Sequence, residues 1–262
     1  MEISHHLKKE KNMGLECLTV IFNHLPKDQM LKHYEFHKER MSNVRVIWDI
    51  KDIPPDKFED PKNPDIFPME LNNLWSELVK YYTMALTWFI KEKPEYFILM
   101  ERDSVVVSKD FERKIIDYMK EHKVGVAFPW LDSRWTNPGH MFTQALQGID
   151  AKQWTIPALT VIRWDALQYY GQSLVHLPDY WGEIRFPSVL ANAGFQVIAN
   201  PFTTNKYFFS PNKAVPEEQR SMSKELIAEG MKAGWKAMHP IKNYDLLDFI
   251  KSEEEKNEKA AN

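Results

Sequence analysis

Apolar positions along this chain fall into short continuous runs that alternate with stretches of three- and four-residue spacing, a pattern of buried strands between amphipathic helices. Leu15 to Phe22, LECLTVIF, is nearly unbroken and stops at Asn23-His24-Leu25-Pro26, which predicts a buried first strand leading into a turn. Pro26 suits the first turn of a helix, whose inner face comes from Met30, Leu31, Tyr34, Phe36 and His37 up to about Met41. Val44 to Ile50 is a second strand, and the order strand, helix, strand predicts a parallel α/β unit. Lys51 to Pro68 holds five prolines and reads as a long loop, a kind of segment often used for function.

Leu71, Leu74, Trp75, Leu78, Tyr82, Ala85, Leu86, Phe89 and Ile90 then mark a long amphipathic helix that stops before Pro94. Tyr96 to Val107, YFILMERDSVVV, is the central strand, interrupted by Glu101-Arg102-Asp103. A helix over Asp110 to Lys123, with Phe111, Ile115, Ile116 and Met119 inward, precedes a strand at Val124 to Phe128. From Leu131 to Trp154 the pattern breaks into polar, aromatic-punctuated chain that reads as a substrate-binding insert. Ile156 to Ile162 predicts a strand and Trp164 to Tyr170 a short helix. A further helix begins near Glu183, runs to about Ala193 and ends at Gly194, after which Phe195 to Ala199 returns as a strand. The stretch Thr203 to Ser223 has little periodicity and reads as flexible.

Composition narrows the classes. A chain of 262 residues, 44% hydrophobic and 13% aromatic, can bury a sizeable core. A net charge of -3 argues against a general nucleic-acid binder. Cys17, the single cysteine, lies in an apolar run and reads as inert core, so an intramolecular disulfide and a multi-cysteine zinc site are excluded. Neither an apolar leader nor an apolar run of about 18 residues appears, which predicts a soluble, cytoplasmic protein without an integral membrane segment. Residues 1–13 read as a disordered or tag-like leader, 14–250 as one domain and 251–262 as a charged, flexible tail. With 9 glycines and no GxGxxG, GxxxxGK[ST] or GxSxG, dinucleotide, P-loop and serine-hydrolase readings fall away.

The candidate chemistry starts at Glu101 and Asp103. On a strand, residues two apart share a face, so both carboxylates can address one cation while Arg102 points elsewhere. Oxygen ligands of this kind suit Mg2+ or Mn2+, which keep positions open for substrate phosphates. Asp179-Tyr180-Trp181-Gly182-Glu183 puts acidic side chains at a helix start, where a carboxylate is electrostatically favoured. His239-Pro240-Ile241-Lys242 follows the last core strand. Asn23, His24 and Asp49 stand at the carboxyl ends of the first two strands, where α/β folds gather ligands. Trp130, Trp135, Trp154 and Trp181 offer flat faces that stack on sugars or fill a core.

Taken in this order, Glu101/Asp103, Asp179 to Glu183 and His239 to Lys242 resemble the GT-A fold nucleotide-sugar glycosyltransferases over roughly Leu15 to Lys242, with ERD in place of the commoner DxD. The resemblance implies an α/β, GT-A-like (Rossmann-like) three-layer α/β/α sandwich around a mainly parallel sheet. It also implies transfer of a sugar from a nucleoside diphosphate donor, such as a UDP- or GDP-sugar, to a carbohydrate or other hydroxyl acceptor. Glu101, Asp103 and His239 would hold Mn2+ or Mg2+, and Lys242 and Arg102 would face the diphosphate, with Asn23, His24 and Asp49 toward the nucleotide. Glu183, with Asp179 as fallback, would be the catalytic base, and Trp130, Trp135 and Trp181 would contact acceptor or sugar. For His239 the alternative is a packing histidine, for Glu183 a helix cap, and for Asp49 a turn cap. A sugar-phosphate nucleotidyltransferase and a carbohydrate-binding protein on a transferase scaffold are the competing functions.

Overall fold

A computed structural model describes residues 15–54, 56, 58–70, 85, 87–133, 150, 152–153, 155, 157–173, 182–208 and 221–261. The first strand, β1 (Cys17–Asn23), is buried at every position and leads through Pro26 into α1 (Lys27–Lys38). Then come β2 (Val44–Asp49), β3 (Ile66–Met69), β4 (Tyr96–Glu101), β5 (Val105–Val106), α2 (Phe111–Glu121), β6 (Val126–Phe128), β7 (Leu159–Arg163) and α3 (Trp164–Ser173). The described chain closes with α4 (Gly182–Asn192), β8 (Val197–Ala199), α5 (Lys224–Lys232), β9 (Ala237–Met238) and α6 (Leu246–Ala261).

Seven strands form one sheet in the order β3-β2-β1-β4-β7-β6-β8. All neighbours are parallel except at β7, which runs against both β4 and β6. Alternation along the strands sends side chains into two separate cores. Cys17 and Ile21 of β1, with Tyr96, Ile98 and Met100 of β4, pack with α1, α2, α5 and α6. Leu18, Val20 and Phe22, with Phe97 and Leu99, pack with α3 and α4 on the opposite face. The result is the expected three-layer α/β/α sandwich around a mainly parallel sheet. Among the described residues no helix is long and apolar enough to cross a membrane.

Several boundaries depart from the sequence reading. The proline-rich loop ends early, because Ile66 to Met69 pairs parallel with β2. Pro68 is tolerated there because β3 is an edge strand, with one row of backbone N–H groups outside the ladder. The run from Tyr96 to Val107 is two strands, β4 in the large sheet and β5 in a two-stranded sheet with β9. Within the segment read as flexible, Phe208 bridges to His239 and Ser223 caps α5 by accepting from the Leu226 N–H, while 209–220 lie outside the described residues. Of the predicted helix from Leu71 to Ile90 only Ala85 and 87–90 are described; Ala85 and 87–88 are helical, while 89–90 form a turn.

The charged end, read from the sequence as a flexible tail at 251–262, continues α6 to Ala261. A buried ion pair accounts for this. Arg40, with 1% of its side chain exposed, meets Glu254 at 2.7 Å, donates to the Phe36 carbonyl at 3.1 Å and lies 3.7 Å over the Phe36 ring. Charge patterning along the tail alone could not reveal a partner this far back in the chain. Removing one member of a buried pair strands the other charge, so Glu254→Ala should cost about 3 kcal/mol in urea unfolding, and Arg40→Met with Glu254→Leu should recover most of it. A loss below about 1 kcal/mol for Glu254→Ala would show the pair to be a solvated surface contact.

Candidate active site

Sequential strands run outward from β1 to β3 on one side and from β4 on the other, so the β1/β4 junction is the topological switch point of the sheet. Ligand crevices of open α/β sheets form at the carboxyl edge of such a junction. Phe22 of β1 stands beside Glu101 of β4 there, and Asn23 beside Trp48 of β2, so Asn23, Asp49 and Glu101 share this edge.

Glu101 and Asp103 converge by a route other than strand alternation. The Ser104 N–H donates to the Glu101 carbonyl at 3.0 Å, closing a tight turn that carries Asp103. Beyond the turn, β5 pairs antiparallel with β9, Val105 opposite Met238, which delivers His239 to the same place. One ligand atom each from Glu101, Asp103 and His239 lies within 4.8 Å of the other two. Asp103 and His239 are buried, with His239 Nε2 3.2 Å from Asp103 Oδ1 and Lys242 Nζ 3.8 Å from Asp103 Oδ2. His239 is further fixed by its own N–H, donating to the Tyr207 carbonyl at 2.9 Å, and by stacking on Phe208 at 5.2 Å.

The two carboxyls are driven apart electrostatically. Burial resists ionisation of Asp103, but the charge and hydrogen bond of His239, then Lys242 and Arg102, hold its carboxyl well below the usual range. Glu101 is pushed up to about 7, first by burial and then by the Asp103 charge, with Glu183 adding to the rise and His239 and Arg102 opposing it. Glu183 is thus near enough for its charge to be felt at Glu101. It lies in the first turn of α4, and its carbonyl accepts from the Thr155 N–H at 3.0 Å.

The other expected residues take distinct places. Asn23 is buried and its Oδ1 accepts from the Leu25 N–H at 2.8 Å, while its amide nitrogen has no hydrogen-bond partner among the described residues. Asp49 is buried too, its Oδ1 accepting from the Lys51 N–H at 3.0 Å, which is the turn-capping arrangement. His24 follows at the same edge, half-buried. The Lys242 N–H donates to Ser221 Oγ at 2.9 Å, and the Arg102 carbonyl accepts from the Tyr244 hydroxyl at 2.9 Å. Trp130 is half-buried against the core, its indole N–H donating to the Phe208 carbonyl at 2.8 Å and its carbonyl accepting from Thr155 Oγ1 at 2.6 Å. It thus braces His239's neighbour and the start of α4. Trp135, Trp154, Asp179 and Trp181 lie outside the described residues.

Three groups at the site escaped the sequence reading or were taken there as plain core. His33 and His37, four apart and so on one helix face, are wholly buried in α1 beneath the turn, and Tyr244 closes it from the start of α6. The spacing of the two histidines was the available signal.

Among solved structures, the chain is similar to a glycosyltransferase involved in the glycosylation of the major capsid of PBCV-1, with 13% identity, a TM-score of 0.44, and coverage of 90% of this chain and 99% of that one. It is also similar to the CMP:2-keto-3-deoxy-manno-octonic acid synthetase complexed with CTP, with 14% identity, a TM-score of 0.41, and coverage of 70% and 88%. A cytidylyltransferase from Leptospira borgpetersenii serovar Hardjo-bovis gives 14% identity, a TM-score of 0.42, and coverage of 71% and 76%. No protein-family model and no curated protein sequence matches the chain. With likenesses this distant, function has to be read from the site's own geometry.

A carboxyl raised to about 7 when folded, against 4.5 otherwise, opposes folding increasingly as pH climbs between those values. In the metal-free protein Glu101→Gln should therefore stabilise by about 2 kcal/mol at pH 8 and by nothing at pH 4. Thermal unfolding in EDTA at the two pH values checks this, and an equal effect at both would remove the electrostatic account.

Proposed function

We propose that the chain is a metal-dependent glycosyltransferase, moving a sugar from a nucleoside diphosphate donor, UDP- or GDP-linked, to the hydroxyl of a carbohydrate or other acceptor. The observation that carries this reading is the convergence of Glu101, Asp103 and His239 within 4.8 Å at the carboxyl edge of the switch point. The donor set fits a hard divalent cation. Two carboxylates supply oxygen, one imidazole supplies nitrogen, and the mutual repulsion that raises Glu101 is the kind a cation relieves. Mn2+ accepts this mixed set readily, and Mg2+ is the alternative.

Bound there, the ion would supply Lewis-acid stabilisation of the departing diphosphate. The chain's own residues do the rest. Lys242, already facing Asp103, adds positive charge where the diphosphate oxygens gather charge as their bond to the anomeric carbon breaks. Glu183, at the positive end of α4, takes the acceptor hydroxyl's proton as that oxygen bonds to the anomeric carbon. Asn23 and Asp49 border the crevice on the β1 and β2 side, where the nucleotide half of the donor would lie. The residues between β1 and α1, His24-Leu25-Pro26, contain no glycine, which weighs against a nucleotidyltransferase needing a glycine-rich phosphate loop there.

A ligand bound only by the folded protein raises its melting temperature, so UDP-, GDP-, CMP- and ADP-sugars should be screened with and without Mn2+. One nucleotide class should shift the protein only with Mn2+ present, and Asp103→Ala should abolish the shift. Release of pyrophosphate from a nucleoside triphosphate and a sugar phosphate, in place of nucleoside diphosphate from a sugar donor, would overturn the reading in favour of a nucleotidyltransferase. Glu183→Gln should lower kcat by about 10²- to 10⁴-fold while leaving Mn2+ affinity close to that of the unmodified protein.

A further inference from the structure

The turn carrying Asp103 is held at three successive backbone carbonyls by three different donors. The Arg102 carbonyl accepts from the Tyr244 hydroxyl at 2.9 Å, the Asp103 carbonyl from the Ile241 N–H at 2.8 Å, and the Ser104 carbonyl faces His33 Nε2 at a longer 3.4 Å. Ser104 adds a fourth tie through its hydroxyl, which donates to the Ala158 carbonyl at 2.7 Å.

The two side-chain donors form a unit. The His33 and Tyr244 rings meet edge-on at 5.5 Å, and the His33 and His37 rings at 4.3 Å. His37 Nδ1–H donates to the His33 carbonyl at 2.9 Å, and its Nε2 accepts from the Val106 N–H at 3.2 Å, so this ring is neutral with a fixed tautomer. His33 is likewise kept neutral, since burial lowers it to about 4, and a neutral ring facing a carbonyl through Nε2 carries its proton there. Its Nδ1 is buried without a hydrogen-bond partner among the described residues. Keeping a buried, half-satisfied histidine in α1 carries a desolvation cost that an apolar side chain would avoid.

We infer that His33 and Tyr244 are positioning residues that hold the turn so that the Asp103 carboxylate stands within reach of Glu101 and His239, and that they thereby set the affinity of the site for a divalent cation. This rests on the metal-site reading above. Neither side chain touches the cation; each acts through a backbone carbonyl next to, or one residue away from, the Asp103 side chain. Outer groups that orient metal ligands commonly change affinity by about 10- to 100-fold when removed.

Isothermal titration with Mn2+ alone, on the full chain, tests the inference. Tyr244→Phe keeps the ring and deletes only the hydroxyl, and His33→Leu deletes the imidazole; each should weaken Mn2+ binding by about tenfold or more. His33→Gln, whose amide can donate to the same carbonyl, should restore part of the loss. Leu167→Ala, in the core on the opposite face of the sheet, serves as a control that lowers melting temperature without moving the Mn2+ affinity. Turnover of Tyr244→Phe should recover at saturating Mn2+, placing the defect in metal binding and leaving kcat intact. Affinities of both variants within about twofold of the unmodified protein would overturn the inference while leaving the metal site standing. Failure of the unmodified protein to bind Mn2+ would instead overturn the metal-site reading, and the inference with it.

Discussion

Two carboxylates at the end of a strand buried on both faces create the tension around which this molecule is arranged. Burial opposes the ionisation of both, and the charge of Asp103 raises the cost of ionising Glu101 further. The protein meets half of that demand internally. His239 and Lys242, brought in by the β5/β9 pairing, favour the charged form of Asp103. Glu101 is left at an intermediate state in which a proton or a cation completes the neutralisation. On the proposed reading, a divalent ion would take the place of that proton, which is a sounder basis for function than the acidic motif itself.

The sheet supplies the location and the second layer supplies the precision. The parallel pair β1 and β4, at the switch point of the sheet, opens a crevice at its carboxyl end irrespective of side chains. What distinguishes this crevice is the packing behind it. The Trp130 indole donates to the Phe208 carbonyl, its backbone carbonyl accepts from Thr155, and the Thr155 N–H meets the Glu183 carbonyl, so one residue joins the helix start to the bridge beside His239. An indole read from the sequence as a ligand platform is also a strut.

Much of the architecture was legible because buried parallel strands write themselves as continuous apolar runs. β1, β2 and β4 are such runs, and Gly194, with φ at +86°, ends α4 as its position in the sequence suggested. The edge strand β3 was hidden by Pro68, whose ring argues against a central strand and is silent about an edge. The convergence of Glu101 and Asp103 was anticipated for the wrong geometric reason, since a turn and not alternation brings them together. The four-residue spacing of His33 and His37 marked a shared helix face, but the backbone carbonyl that His33 meets leaves no trace in the sequence. The pairing of Arg40 with Glu254 was equally hidden, because charge patterning names no partner so far away in the chain.

The antiparallel pairing of Val105 with Met238 has a consequence for how the molecule comes into being. Asp103 leaves the ribosome long before His239, Ile241, Lys242 and Tyr244 exist, so a nascent chain can build β1, β2 and β4 while its acidic turn is still open. The cluster at the crevice gains His239 and its last ties only once that late stretch of chain has been made, so a product that stops before it lacks the completed cluster.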